Sequence, residues 1–119
     1  MDKRSGIVNA LSFDLEEWFH AEVFSSRISP REWEAMESRC ERQTDFVLSL
    51  LAEYGVHATF FTLGRLAERH QALVKRISAA GHELACHGHD HTMITRQQRD
   101  EFDVDVKRSK GLLEDLSGR

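Results

Sequence analysis

Apolar positions along this chain alternate between short dense runs and stretches with a helical period, and that alternation predicts its architecture. Residues 6–13 are apolar-rich, open on Gly6 and stop at the charge of Asp14, which predicts a strand. Residues 18–28 carry Trp18, Phe19, His20, Val23, Phe24 and Ile28 without a period and read as a long loop with apolar anchors. A helix start follows: Ser29 is a candidate N-cap, Pro30 takes the first helical position and Glu32 supplies a capping-box carboxylate. Behind it Trp33, Met36, Cys40, Val47, Leu48 and Leu51 repeat at close to the helical period, and Gly55 is the stop.

The pattern then repeats twice. Residues 57–62 are aromatic and β-branched and predict a second strand. Gly64 opens a helix with Leu66, Leu73, Val74 and Ile77 on one face, ending before Gly81. Residues 82–87 predict a third strand. Thr95 with Gln98 makes a second capping box, and a last helix runs to about Leu116 with Phe102, Val106, Leu112, Leu113 and Leu116 as its buried side.

The order βαβαβα implies an α/β fold with parallel strands joined by right-handed crossovers. Three such strands make a thin sheet with open edges and one bare face. A complete (β/α) barrel takes about 250 residues, so these 119 residues read as a truncated first half, one part of a single domain.

Composition narrows the function classes. A hydrophobic content of 40% with 30% charged residues describes an ordinary globular chain, and the net charge of −4 argues against a nucleic-acid partner. The opening residues have neither a secretory signal's long apolar core nor the ~20 apolar residues of a membrane span, which points to a cytoplasmic location and no membrane partner. Cys40 and Cys86 are far apart and read as free thiols. Cys86 precedes His87 directly, and strand alternation turns the two to opposite faces.

Candidate chemistry gathers where two of the predicted strands end. Asp14, Glu16 and Glu17 follow the first, and His87, Gly88, His89, Asp90 and His91 follow the third. Parallel α/β folds place their sites at the C-terminal strand ends. A carboxylate facing two imidazoles there is a divalent-metal site. Taken singly, each cluster is equally a solvated polar loop.

The stretch Leu11-Ser12-Phe13-Asp14-Leu15-Glu16-Glu17-Trp18-Phe19-His20 resembles the first motif of NodB-type polysaccharide deacetylases (carbohydrate esterase family four), in the branch associated with exosortase and exopolysaccharide clusters. Residues 58–64 resemble that family's second-strand signature, and residues 81–91 its histidine motif.

The resemblance implies a distorted (β/α) barrel that removes N- or O-acetyl groups from an acetylated polysaccharide with a divalent metal, often zinc. By position Asp14 resembles the catalytic base, and His87 and His91 the metal-ligating imidazoles. The remaining ligand is a carboxylate just after the base. Strand alternation favours Glu16, which shares a side with Asp14; Glu17 is the alternative, because the two acids are adjacent in many relatives. His89 is expected in a supporting or solvated role, and Trp18 and Phe19 as anchors of the loop. The family's general acid and arginine motif lie on later strands that have no counterpart here, so weak or no activity is expected of the chain alone.

Two other readings compete. One is a metal-binding fragment without catalysis. The other is a phosphoacceptor signalling domain, disfavoured because the third strand ends in His87 rather than an aspartate.

Overall fold

A computed structural model describes residues 6–119; residues 1–5, which lead into the first predicted strand, lie outside the described residues. Among the described residues the sheet has three parallel strands in the order β1 (Ser12–Leu15), β2 (Thr59–Thr62) and β3 (Glu83–Cys86). Phe13, Phe60 and Leu84 stand in one row across the sheet, and Asp14, Phe61 and Ala85 in the next. Because successive side chains point to opposite faces, those rows face opposite ways.

Among the described residues, helices cover only the first of those faces. Leu15, Phe60, Leu63, Leu66, Leu73 and Ile77 form the main core there, with Cys40 and Leu51 from α1 (Cys40–Tyr54). Phe13 stacks on Phe60 with ring centroids 5.2 Å apart. A second cluster joins Val74 of α3 (Gln71–Ala79) and Ala67 of α2 (Gly64–Arg69) to Leu113 of α4 (Arg99–Ser117). On the other face Phe61 stays 36% exposed. The row that carries Asp14 is therefore open to solvent.

Several boundaries differ from expectation. The first strand begins at Ser12 and runs through Asp14, whereas Ile7 and Val8 are exposed and outside the ladder. The reason is the length of β2: four residues of β2 pair only four of β1. The expected loop at 18–28 contains two 3₁₀ turns, Trp18–His20 and Glu22–Phe24.

The Ser29 capping box forms as expected, with Glu32 accepting the Ser29 amide at 2.7 Å. It opens a 3₁₀ segment, Pro30–Ala35, and not the long helix. The helix starts afresh at Cys40, because the Glu17 carboxylate accepts the Arg39 and Cys40 amides at 3.0 and 3.3 Å. That remote carboxylate does the work of an N-cap.

Gly55 ends α1 in the left-handed conformation, φ 62°. The helix predicted from Gly64 is two helices with a break at His70. The last capping box is Gln98 with Glu101, three residues later than Thr95 with Gln98. Phe102, expected to be buried, is 39% exposed.

Candidate metal centre

Neighbouring strands lie about 4.8 Å apart, so the rims of β1 and β3, with β2 between them, are separated by about 10 Å at the backbone. Side chains as long as Glu and His can close such a gap from both sides. Glu16 follows β1 and His87 follows β3, and their chain positions continue the row of Asp14 and Ala85 on the uncovered face. The Glu16 Oε2 and His87 Nε2 atoms meet at 3.3 Å. His91 Nε2 reaches the same carboxylate oxygen, also at 3.3 Å. Ligand atoms of Glu16, His87 and His91 all lie within 4.8 Å of one another.

This geometry separates the two candidate carboxylates. Glu17 points to the covered face, where its oxygens are taken by the Ser38 hydroxyl and the Arg39 and Cys40 amides. Its carboxylate belongs to a different cluster, with Cys40 and His70. Glu16, not Glu17, joins the His87–His91 pair.

The loop from His87 to His91 is held from three sides. The first two amides of α2, on Gly64 and Arg65, donate to the carbonyls of Gly88 and His89, each at 2.9 Å. Asp105 of α4 accepts the His89 amide at 3.1 Å, and Arg65 pairs with Asp90 at 2.7 Å. Gly88 turns at φ 75° and His91 at φ 57°, an uncommon conformation for a residue with a Cβ. The His20 carbonyl stands 2.7 Å from His91 Nδ1, which leaves Nε2 free towards Glu16.

The residues present fit a cation. Glu16 Oε2 and His87 Nε2 are buried and have no hydrogen-bond partner among the described residues, although they face one another. A divalent ion between them would satisfy both, and two imidazoles with one carboxylate are an ordinary zinc donor set that leaves a position open. The His87 imidazole, against the penalty of burial, holds the Glu16 carboxyl below its usual range, and Glu16 in turn raises His87. Asp14 lies at the edge, 61% exposed, with Oδ2 3.9 Å from His87 Nε2.

Other expected residues settle plainly. His89 is not solvated: it is 2% exposed, burial lowers its basicity, and its ring lies against Gly64, where an added Cβ would fall 2.2 Å from Nδ1. Phe19 is buried and Trp18 packs edge-on against it, the anchoring expected of the pair. Cys86 faces α4, with Sγ 2.8 Å from the Ser109 hydroxyl, and takes no part in the imidazole cluster.

His20 had no positional argument in the sequence. It is buried, and burial pushes it down to about 4. Its ring accepts the Glu17 amide at 3.0 Å while its carbonyl meets His91. A backbone carbonyl is common to every residue, so no residue type signals this role.

The polysaccharide deacetylase family model matches residues 33–119, a span that includes both His87 and His91. The chain belongs to the polysaccharide deacetylase family. It is 33% identical over 75 residues to a peptidoglycan-N-acetylglucosamine deacetylase of Bacillus cereus, covering 63% of this chain and 27% of that one. It is 36% identical over 66 residues to a chitooligosaccharide deacetylase of Rhizobium leguminosarum bv. trifolii, covering 56% and 31%. Its fold is similar to a solved peptidoglycan N-acetylglucosamine deacetylase at TM-score 0.69 and 27% identity, covering 92% of this chain and 41% of that one. The chain thus spans under a third of these curated relatives and about two-fifths of the solved structure. Its three-stranded βα sheet is part of a NodB-type fold. The matched span begins after Glu17, so the placing of Asp14 and Glu16 rests on the geometry of the strand rims.

Proposed function

We propose that this chain carries the metal-binding and proton-accepting part of a deacetylase acting on an acetylated glycan. Glu16, His87 and His91 would hold one divalent cation, zinc being the best match to two imidazoles and a carboxylate. The pair of buried, facing and unpartnered ligand atoms on Glu16 and His87 is the observation that carries this reading. Residues 1–119 are read as part of one deacetylase domain. The exopolysaccharide assignment rests on the motif from Leu11 to His20.

The chemistry a divalent cation supplies in such a place is Lewis acidity, which polarises a carbonyl oxygen and makes water easier to deprotonate. Asp14 is the group that takes the water's proton: it is exposed enough to meet substrate, and it sits beside the centre rather than within its ligand set. Water adds to the acetyl carbon, the bond from that carbon to the sugar nitrogen or oxygen breaks as that atom takes up a proton from solvent, and acetate leaves. Relatives named for peptidoglycan N-acetylglucosamine and for chitooligosaccharide support an N-acetylated sugar as substrate.

The test is acetate release from an N-acetylated chito-oligosaccharide by the purified chain, with and without a chelator. The expected result is weak release that the chelator abolishes. Asp14→Asn should lower it about 10²–10⁴-fold, the usual contribution of a general base, while zinc binding persists. Zinc binding without any acetate release would favour the non-catalytic, metal-binding reading.

A further inference from the structure

Beyond the rim centre lies a cluster the deacetylase reading does not use. We propose that Glu17, Cys40 and His70 form a second cation site, suited to a thiophilic divalent metal such as zinc. One ligand atom from each lies within 4.8 Å of the others. They come from three separate places: the loop after β1, the first residue of α1, and the break between α2 and α3. A thiolate, an imidazole and a carboxylate make a tetrahedral zinc set with one position left over.

The lone pairs are arranged for this. Glu17 Oε2 accepts two amides and is full, whereas Oε1 accepts only the Ser38 hydroxyl and keeps a lone pair, 3.6 Å from His70 Nε2. On the far side of the ring, His70 Nδ1 is 3.4 Å from a Glu41 carboxylate oxygen. A carboxylate there favours the Nδ1–H tautomer, the arrangement metal-bound histidines usually have, and Nε2, now 3.4 Å from the Ser38 hydroxyl oxygen, would exchange that contact for the metal. The Cys40 thiol proton leaves to solvent as the metal–sulfur bond forms.

A second observation concerns the space beside the cluster. A cavity of about 310 Å³ opens on Glu17 and His70 and is also lined by Trp33, Glu34, Arg65 and Glu68. Trp33, in the wall of this cavity, is 8% exposed, and its indole Nε1 has no partner among the described residues. A water in the fourth coordination position would have room there.

The two sites would stand back to back. Glu16 and Glu17 are consecutive and face opposite sides of the chain, so a metal on Glu17 would fasten the loop whose His20 carbonyl orients His91. This second site does not depend on deacetylation.

Cobalt titration of the metal-stripped chain tests it, because a thiolate ligand gives a sulfur-to-cobalt charge-transfer band and the rim centre contains no sulfur. The band should appear in the wild-type chain, persist in His87→Ala/His91→Ala and in Cys86→Ser, and vanish in Cys40→Ser. His70→Gln should weaken cobalt binding at this site at least tenfold. Cobalt binding without the band in the wild-type chain would overturn the proposal, as would a band lost with Cys86→Ser. Those two spectra decide the matter even if Cys40→Ser does not fold. Failure of the rim centre would instead show as cobalt affinity unchanged by His87→Ala/His91→Ala.

Discussion

The backbone carbonyl of His20 and the Nδ1 atom of His91 are 2.7 Å apart, a contact between residues separated by most of the chain. It fixes which imidazole nitrogen of His91 is free for a ligand. The carbonyl is itself held in place because the His20 ring accepts the Glu17 amide. His20→Ala deletes that ring and loosens the carbonyl without touching a rim ligand. Zinc affinity at the rim centre should fall about 10–100-fold, the usual effect of losing a group that orients a metal ligand. Calorimetric zinc titration of the Cys40→Ser chain with and without His20→Ala reads it; equal affinities would show that the carbonyl does not matter.

Gly64 and His89 fit together so closely that only glycine is tolerated. A Cβ on residue 64 would lie 2.2 Å from His89 Nδ1. Gly64→Ala should therefore destabilise the chain by about 1–3 kcal/mol, as overpacking of a filled core does. In the double variant with His89→Ala the clash disappears, so the two costs should be less than additive. Urea melts of the four chains measure the coupling. Strict additivity would mean the residues do not collide.

Three buried imidazoles, on His20, His82 and His89, give the fold an acid-sensitive edge. Burial, with the nearby His57 charge behind it, lowers His82, and burial brings His20 down to about 4. In the unfolded chain all three regain an ordinary value near 6.5. Below that pH the unfolded state binds more protons than the folded one, so stability falls as pH drops. For His20 the loss runs from about 6.5 to about 4. The His82 Nδ1 atom accepts the Ala58 amide at 3.2 Å, a bond an asparagine oxygen can replace. His82→Asn should leave stability near neutral pH little changed and flatten its decline in acid, as followed by urea melts across that range. An unchanged slope would place the titrating groups elsewhere.

How far the sequence disclosed this molecule depends on the range over which each signal acts. Gly55 and the Ser29–Glu32 pair act within a turn, and both were legible. The start of α1 was not, because its cap is Glu17, more than twenty positions away and chosen by the fold. Thr95–Gln98 and Gln98–Glu101 satisfy the same local pattern, and only the packing of the last helix selects the second. At the candidate site, strand alternation separated Glu16 from Glu17 because it is a property of the backbone. The partnership of His20 with His91, and the grouping of Glu17, Cys40 and His70, depend on tertiary approach and leave no periodic trace.

The central claim is that the rims of β1 and β3 together grip one cation. Zinc-edge anomalous diffraction from a crystal of the zinc-loaded chain tests it most directly. The account predicts a peak bonded to a Glu16 oxygen and to Nε2 of both His87 and His91, at about 2.0–2.2 Å from each. Zinc bound elsewhere with no peak among these three residues would contradict it.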